Sequence, residues 1–356
     1  MSRPCHEPRA MLVTGGAGFI GCNFIRHALA SDAALRVVNL DALTYAGHPA
    51  NVRDIQAAHP DRSTFIHGDI GDAVTVRGIF AEHEIDTVVH FAAESHVDRS
   101  IDGPLTFVDT NVRGTAVLLE AARGAWGDRR DVRFHHVSTD EVFGSLGPDG
   151  LFDEDSPYDP SSPYAASKAA ADHLARAWHR TYRIPVTISN CSNNYGPYQF
   201  PEKLIPLMIS SGLAGKPLPV YGDGGNVRDW LFVTDHCEAL DKVIRLGQTG
   251  ATYNIGGHDE RRNIEVVELL CDFLDDLQPR AGGDSHRDLI TYVADRPGHD
   301  RRYAIDATRI REELAWHPRH SFEDGLRDTV KWYLDHGDWC DEVTRDRYAG
   351  GRLGLG

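Results

Sequence analysis

The sequence predicts an open, doubly wound parallel α/β sheet, and three observations carry that prediction. Short apolar segments recur through the first half of the chain with helical segments between them. Met11–Thr14 is a short apolar run, the pattern of a parallel strand buried on both faces. It runs directly into a glycine-rich turn that opens a helix.

Taken in order, Met11–Thr14 reads as a strand ending at Gly15 and Gly16, and Phe19–Ala30 as the helix that follows. Leu35–Leu40, Thr64–His67 and Thr87–Phe91 read as further strands. Pro104–Arg123 reads as one helix, with Pro near its start and Leu105, Val108, Val112, Ala116 and Leu119 on one face. Val132–Val137 is a fifth strand, Ser162–Tyr182 a helix and Pro185–Ile188 a sixth strand. Beyond 195 the texture changes. Pro197, Pro201, Pro206, Pro217 and Pro219 interrupt it, and helices return at Asp235–Leu246, Ile264–Leu277 and Phe322–His336. The expected division is a dinucleotide-binding unit over 1–194 with a return segment near 229–255, and a smaller C-terminal substrate-binding lobe over 195–228 and 256–356.

Composition narrows the function. The chain has 356 residues and is 41% hydrophobic, enough for a large packed core. Its net charge of −16 makes nucleic acid an improbable partner, because an acidic surface repels a phosphate backbone. No apolar run is long enough to span a bilayer, and the first ten residues lack the apolar stretch of a signal peptide. The six cysteines are scattered without a C-x-x-C pair, and the 19 histidines show no metal-ligand spacing. A reducing, cytoplasmic setting and no metal are therefore expected.

Gly15, Gly18 and Gly21 form a G-x-x-G-x-x-G turn between the first strand and the first helix. Such a turn lets the backbone approach a pyrophosphate, and the helix N-terminus presents its unpaired N–H groups to it. Asp41 ends the second strand, 20 positions after Gly21. A carboxylate there suits the adenosine ribose hydroxyls and repels a 2′-phosphate, so NAD is expected rather than NADP. Alone, Asp41 would read as a turn cap; the glycines change its meaning. Asp69, ending the third strand, reads equally as an adenine contact or a turn residue.

Tyr164 and Lys168 lie four positions apart at the start of a helix and so share a face. An ammonium there is expected to favour phenolate and bring the tyrosine toward the range of a general base. Thr139, Asp140 and Glu141 follow the fifth strand, and reactive groups in open α/β sheets gather at the carboxyl ends of strands. Adjacent carboxylates can divide acid and base work if their surroundings separate their pKa values. In isolation the pair would read as a solvated acidic turn.

Longer motifs sharpen this. Thr14 to Gly21 with Tyr164-x-x-x-Lys168 resembles the extended short-chain dehydrogenase/reductase superfamily. The stretches 41–47, 92–100, 138–144, 190–198, 228–230 and 295–303 resemble its nucleotide-sugar 4,6-dehydratases that act on dTDP-glucose, and the likeness runs from about Met11 to Trp339. Phe143, Cys22 and a short 146–152 loop depart mildly from that pattern. The resemblance implies a Rossmann sheet, a retained NAD, a dTDP-glucose substrate and a homodimer formed through the helices at 104–123 and 162–182. It implies catalytic roles for Thr139, Asp140, Glu141, Tyr164 and Lys168. It places Gly15, Gly18, Phe19, Ile20, Gly21, Asp41, Leu43, Thr44, Asp69, Ile70, Ala92, Ala93, Ser95, Thr110, Tyr164, Lys168 and Asn194 on the cofactor. Ser95, Thr139, Asn193, Lys203, Leu204, Pro219, Tyr221, Arg228, Asn263, Arg296 and His299 are placed on the substrate. Arg228 would otherwise read as the partner of a surface acid such as Asp229.

Three rivals share many of these features: a 4,6-dehydratase of a UDP- or CDP-sugar, a UDP-sugar 4-epimerase or decarboxylase, and a NAD-binding regulator without activity. Epimerases and decarboxylases need Tyr and Lys but no acid–base pair directed at C5 and C6. The intact Tyr, Lys, Asp and Glu set argues against the regulator.

Overall fold

The computed structural model describes residues 5–295 and 299–345. Twelve strands follow in chain order: β1 (Ala10–Thr14), β2 (Arg36–Asp41), β3 (Ser63–His67), β4 (Thr87–His90), β5 (Arg133–Thr139), β6 (Val186–Cys191), β7 (Asn193–Tyr195), β8 (Leu218–Tyr221), β9 (Val227–Phe232), β10 (Thr252–Ile255), β11 (Glu260–Arg262) and β12 (Ile290–Val293). Seven build one parallel sheet in the order β10-β6-β5-β4-β1-β2-β3. The chain order reverses between β1 and β4, the switch point where open α/β sheets bind ligands. The fold is the expected doubly wound Rossmann arrangement. Its central strands are buried because helices cover both faces; Met11, Leu12, Val13, Val88, Val89 and Phe134 are wholly buried, as are the polar His135 and His136 of β5.

The second lobe is built from a three-stranded sheet, β11-β9-β7, a parallel β12-β8 pair, and the helices Leu204–Leu213, Asn263–Leu277, Phe322–Asp335 and Gly337–Thr344. Its core includes Ile205, Met208, Trp230, Leu270, Phe322 and Leu326. The chain weaves between the two units, within the return segment near 229–255 and again beyond it. The Val233–Leu246 helix packs into the sheet's own core through Val233, Leu240 and Ile244. Ala307, Ile310, Leu314 and Trp316, assigned from sequence to the second lobe, also lie in that core. An apolar stripe on a seven-residue helix, Thr308–Leu314, carries no label of which sheet it will cover.

The helix expected over Pro104–Arg123 is divided. Pro104–Phe107 leads into a π-helical stretch, Val108–Gly114, before α-helix resumes over Thr115–Trp126. The wider turn carries Thr110 and Asn111. Asn111 Oδ1 accepts from the Glu94 N–H at 2.8 Å while its Nδ2 donates to the Glu94 carbonyl at 3.0 Å. That pair of bonds fixes the loop after β4, a use of π turns common near binding sites.

Candidate active site

The loop between β1 and the Phe19–Ser31 helix is shaped by its glycines. Gly15 has φ +71°, and a Cβ there would meet the Ala92 backbone at 2.7 Å. A Cβ on Gly21 would lie 2.3 Å from the Gly15 carbonyl oxygen. The loop can therefore sit tightly against its helix only with glycine at both places. Asp41 Oδ2 accepts from the Ala17 N–H at 2.8 Å and Oδ1 from the Leu43 N–H at 2.8 Å. The carboxylate is thus held at the mouth of the loop by two backbone N–H groups.

These residues open onto a cleft of about 340 Å³. Gly15, Gly18, Phe19, Ile20, Gly21, Asp41, Thr44, Asp69, Ile70, Ala92, Ala93, Ser95, Thr110, Tyr164, Lys168 and Asn194 all line it, as expected of a cofactor wall. Leu43 is not among its lining residues; it acts through its backbone N–H on Asp41. The fit to a dinucleotide is physical: a glycine cradle, an oriented carboxylate and a helix N-terminus converge on one elongated cleft.

The chemistry lies at the carboxyl ends of β5 and β6, where Thr139 pairs in register with Cys191. Asp140–Phe143 forms a 3₁₀ turn directly after β5, and the Thr139 hydroxyl accepts from the Glu141 N–H at 3.3 Å. Ser162 caps the Pro163–Tyr182 helix by accepting from the Ala165 N–H, with Pro163 in the first turn. That helix brings Tyr164 and Lys168 to the same cleft as Thr139, Asp140 and Glu141. Burial, reinforced by Glu141 and Asp229, pushes the Asp140 carboxyl well above the usual carboxylate range.

Tyr164 departs from the sequence expectation. Burial first, and then the Glu141 charge, push its phenol well above its ordinary value, and the Thr139 hydroxyl's hydrogen bond only partly opposes them. Lys168 does not lower it; the ammonium is turned onto the Val137 carbonyl at 2.8 Å and is itself depressed by burial. A helical spacing of four places two side chains on one face but does not aim one at the other.

A second cleft of about 440 Å³ adjoins the first. Ser95, Asn193, Lys203, Leu204, Pro219, Tyr221, Arg228, Asn263 and His299 line it. Thr139 lies on the first cleft instead, and Arg296 falls outside the described residues. Arg228 is nearly buried, with its guanidinium 4.3 Å above the Tyr303 ring and donating to the Val227 and Asp300 carbonyls. Its neighbour Asp229 instead accepts from the Gly257 and Asp259 N–H groups. The two linings overlap at Ser95, Glu141, Asn193 and Lys203, so one elongated ligand and one cofactor would meet at Glu141.

Sequence reasoning did not single out Tyr45, Gln199, Glu202 or Lys216, which also line these clefts. Tyr45 stood within the 41–47 motif, and its hydroxyl lies 2.9 Å from Ser95 Oγ. Lys216 had one available signal, being one of few lysines in an acidic chain. Among the described residues no cluster of three His, Cys, Asp or Glu could hold a metal ion, and no helix is long and apolar enough to cross a membrane.

Comparison with known proteins adds to this geometry. The family model for GDP-mannose 4,6 dehydratase matches residues 12–329. The dTDP-glucose 4,6-dehydratase of Xanthomonas campestris pv. campestris (strain B100) is 56% identical over 348 residues, covering 96% of this chain and 98% of the relative. The crystal structure of the Streptomyces venezuelae dTDP-glucose 4,6-dehydratase, solved with NAD bound, superposes with a TM-score of 0.86 at 48% identity. It covers 94% of this chain and 99% of that one. The UDP-glucose 4-epimerase of Thermotoga maritima gives a TM-score of 0.79 at 27% identity, over 92% of this chain and 99% of that one.

Proposed function

Because the chain belongs to the GDP-mannose 4,6-dehydratase family of extended short-chain dehydrogenases/reductases, we infer that it is a dTDP-glucose 4,6-dehydratase that holds NAD and serves deoxysugar biosynthesis. The observation that carries the reading is the meeting of the two clefts along a wall that includes Glu141, with Asp140, whose carboxyl burial pushes well above the usual range, beside it. A C4 oxidation alone needs neither group.

NAD supplies the hydride acceptor for C4, the hydride donor for C6 and, in its oxidised form, a positive charge. Tyr164 takes the proton of the C4 hydroxyl, and Thr139 orients that oxygen. Oxidation at C4 acidifies C5–H, and Glu141 removes that proton. Asp140, whose pKa is raised by burial and by the Glu141 and Asp229 charges, donates to the C6 hydroxyl as it leaves as water. A proton then returns to C5, and the product is a 4-keto-6-deoxy sugar with the cofactor back in its starting state. Burial first, and then the Glu141 charge, raise the Tyr164 phenol, and a positive charge beside it would act in the opposite direction. Lys168 holds the cofactor ribose, and Arg228, Lys203, Asn263 and His299 face the nucleotide diphosphate.

Two further readings accompany this one. The enzyme acts in the cytoplasm, consistent with six free cysteines. It forms a homodimer through the Pro104–Trp126 and Pro163–Tyr182 segments, where Leu105, Val108 and Tyr182 leave apolar surface exposed.

The deciding experiment uses dTDP-glucose carrying deuterium at C4. Deuterium at C6 of a 4-keto-6-deoxy product is the expected outcome. Deuterium retained at C4 with inverted configuration overturns the reading in favour of epimerisation. Turnover compared across dTDP-, UDP- and CDP-glucose tests the base, with dTDP-glucose expected to be preferred.

A further inference from the structure

Ala17 lies inside the phosphate-binding turn, and its peptide groups are held from outside it. Its carbonyl accepts from Asn51 Nδ2 at 2.7 Å and from the His48 N–H at 3.1 Å. Its N–H donates to Asp41 Oδ2 at 2.8 Å, so the same residue orients the ribose-facing carboxylate. Asn51 is buried, and its remaining amide atom, Oδ1, accepts from the indole Nε1 of Trp339 at 2.9 Å. Indole only donates and a carbonyl only accepts, so these two partners leave a single orientation for the Asn51 amide. Trp339 belongs to the Gly337–Thr344 helix of the second lobe, 288 positions along the chain from Asn51. It is nearly buried, with its ring 5.1 Å from Trp332 and 5.8 Å from Tyr198. The neighbouring Arg53–Glu342 ion pair links the same two units but is exposed and contributes little.

We propose that Trp339 and Asn51 form a clasp through which the second lobe holds the phosphate-binding turn in its cofactor-gripping shape, so that cofactor retention is a property of both lobes. This rests on the NAD-dependent reading above. A reaction that removes hydride at C4 and must return it at C6 fails if the reduced cofactor escapes between the two steps. Every bond in the chain Trp339–Asn51–Ala17–Asp41 is buried or nearly so, where an unmade bond is costly. Trp339 and Asn51 touch neither reacting atom; they are positioning residues.

The test is the exchange of bound NAD against labelled NAD in the intact enzyme. Trp339→Phe keeps an aromatic ring and deletes the N–H. Its bound NAD is expected to exchange roughly tenfold faster than in the wild type, with turnover restored by added NAD. Asn51→Asp keeps the acceptor for Trp339 and loses the donor to Ala17, and is expected to exchange faster still. If Trp339→Phe does not fold, Asn51→Asp alone decides. Wild-type exchange rates in the variants that fold overturn the clasp, even if their melting temperatures fall. A wild-type enzyme that binds no NAD overturns the functional reading instead.

Discussion

The Thr139 hydroxyl donates to Asp140 Oδ1 across 3.3 Å, while Asp140 Oδ2 is buried without a hydrogen-bond partner in the protein. An oxygen in that position is suited to carry a proton and to hand it on. Burial and the charges of Glu141 and Asp229 keep the carboxyl neutral well above the usual range. Asp140→Asn removes the proton donor and is expected to lower turnover at least ~100-fold. It should also stabilise the fold. In the unfolded chain Asp140 ionises above its ordinary value, whereas in the folded chain it holds its proton to higher pH. The wild type therefore loses about 1.4 kcal/mol per pH unit from this group as pH rises from about 4 toward its raised folded value. The stability gap between Asp140→Asn and wild type should be absent in acid and widen toward neutrality. Denaturant titrations at several pH values measure it; a gap that does not widen sinks the assignment.

Glu141 is expected to act one step earlier, on C5–H. Glu141→Gln should leave C4 oxidation intact and stall the elimination, so reduced cofactor accumulates in a single turnover followed by nicotinamide absorbance. Steady-state turnover should fall at least ~100-fold. Normal turnover in this variant would show that another group takes the proton.

Tyr164→Phe removes the base while keeping the ring that meets Phe107 edge-on at 6.3 Å. Reduced cofactor should then fail to form at all, with C4 oxidation slowed ~100- to 10,000-fold. The contrast with Glu141→Gln is the informative measurement. If both variants accumulate reduced cofactor equally, Tyr164 is not the C4 base.

The positions of these residues in the clefts were legible because each sits at the end of a strongly patterned element. The apolar run of β1, the glycine turn and Asp41 are neighbours in sequence as well as in space. Thr139 to Glu141 directly follow β5. Less was legible where distant segments cooperate. Strands β7 and β11 are three residues long, too short for a period to show. The return of 307–316 to the first core depends on tertiary packing alone. The π turn at 108–114 preserves a helical pattern while shifting its phase, and so reads as an ordinary helix. Asn51 and Trp339 looked like a loop polar residue and a core aromatic, and only their contact gives them meaning. The direction in which Lys168 points was likewise invisible from its spacing to Tyr164.

That direction leads to the last prediction. Asp172 lies four positions beyond Lys168 on the same helix and is wholly buried. It accepts from the Tyr158 hydroxyl at 2.7 Å and lies 3.1 Å from His136 Nε2. Burial works against its charge, but His136, Lys168 and Ser138 together outweigh it, and its carboxyl sits below the ordinary range. Burial pushes His136 down and so works against its positive form, while the Lys168 charge also favours this anion. Burial likewise lowers Lys168, and Asp172 is the first-ranked charge opposing that fall. Asp172→Asn is close to isosteric; it deletes the charge and exchanges one acceptor oxygen for a donor, and its Oδ1 can still accept from the Tyr158 hydroxyl. Two outcomes are expected. Stability falls by about 3 kcal/mol, because a buried ammonium loses its partner. Lys168 deprotonates at lower pH, so the alkaline limb of the turnover profile moves toward neutrality. His90, His136 and Cys191 also face the ammonium, but an imidazole carries no negative charge, burial pushes both imidazoles down, and the Cys191 thiol is pushed up to about 12 by burial. None of them can replace the lost anion near neutral pH. An unmoved alkaline limb would mean that Asp172 stabilises the fold without setting the charge of Lys168.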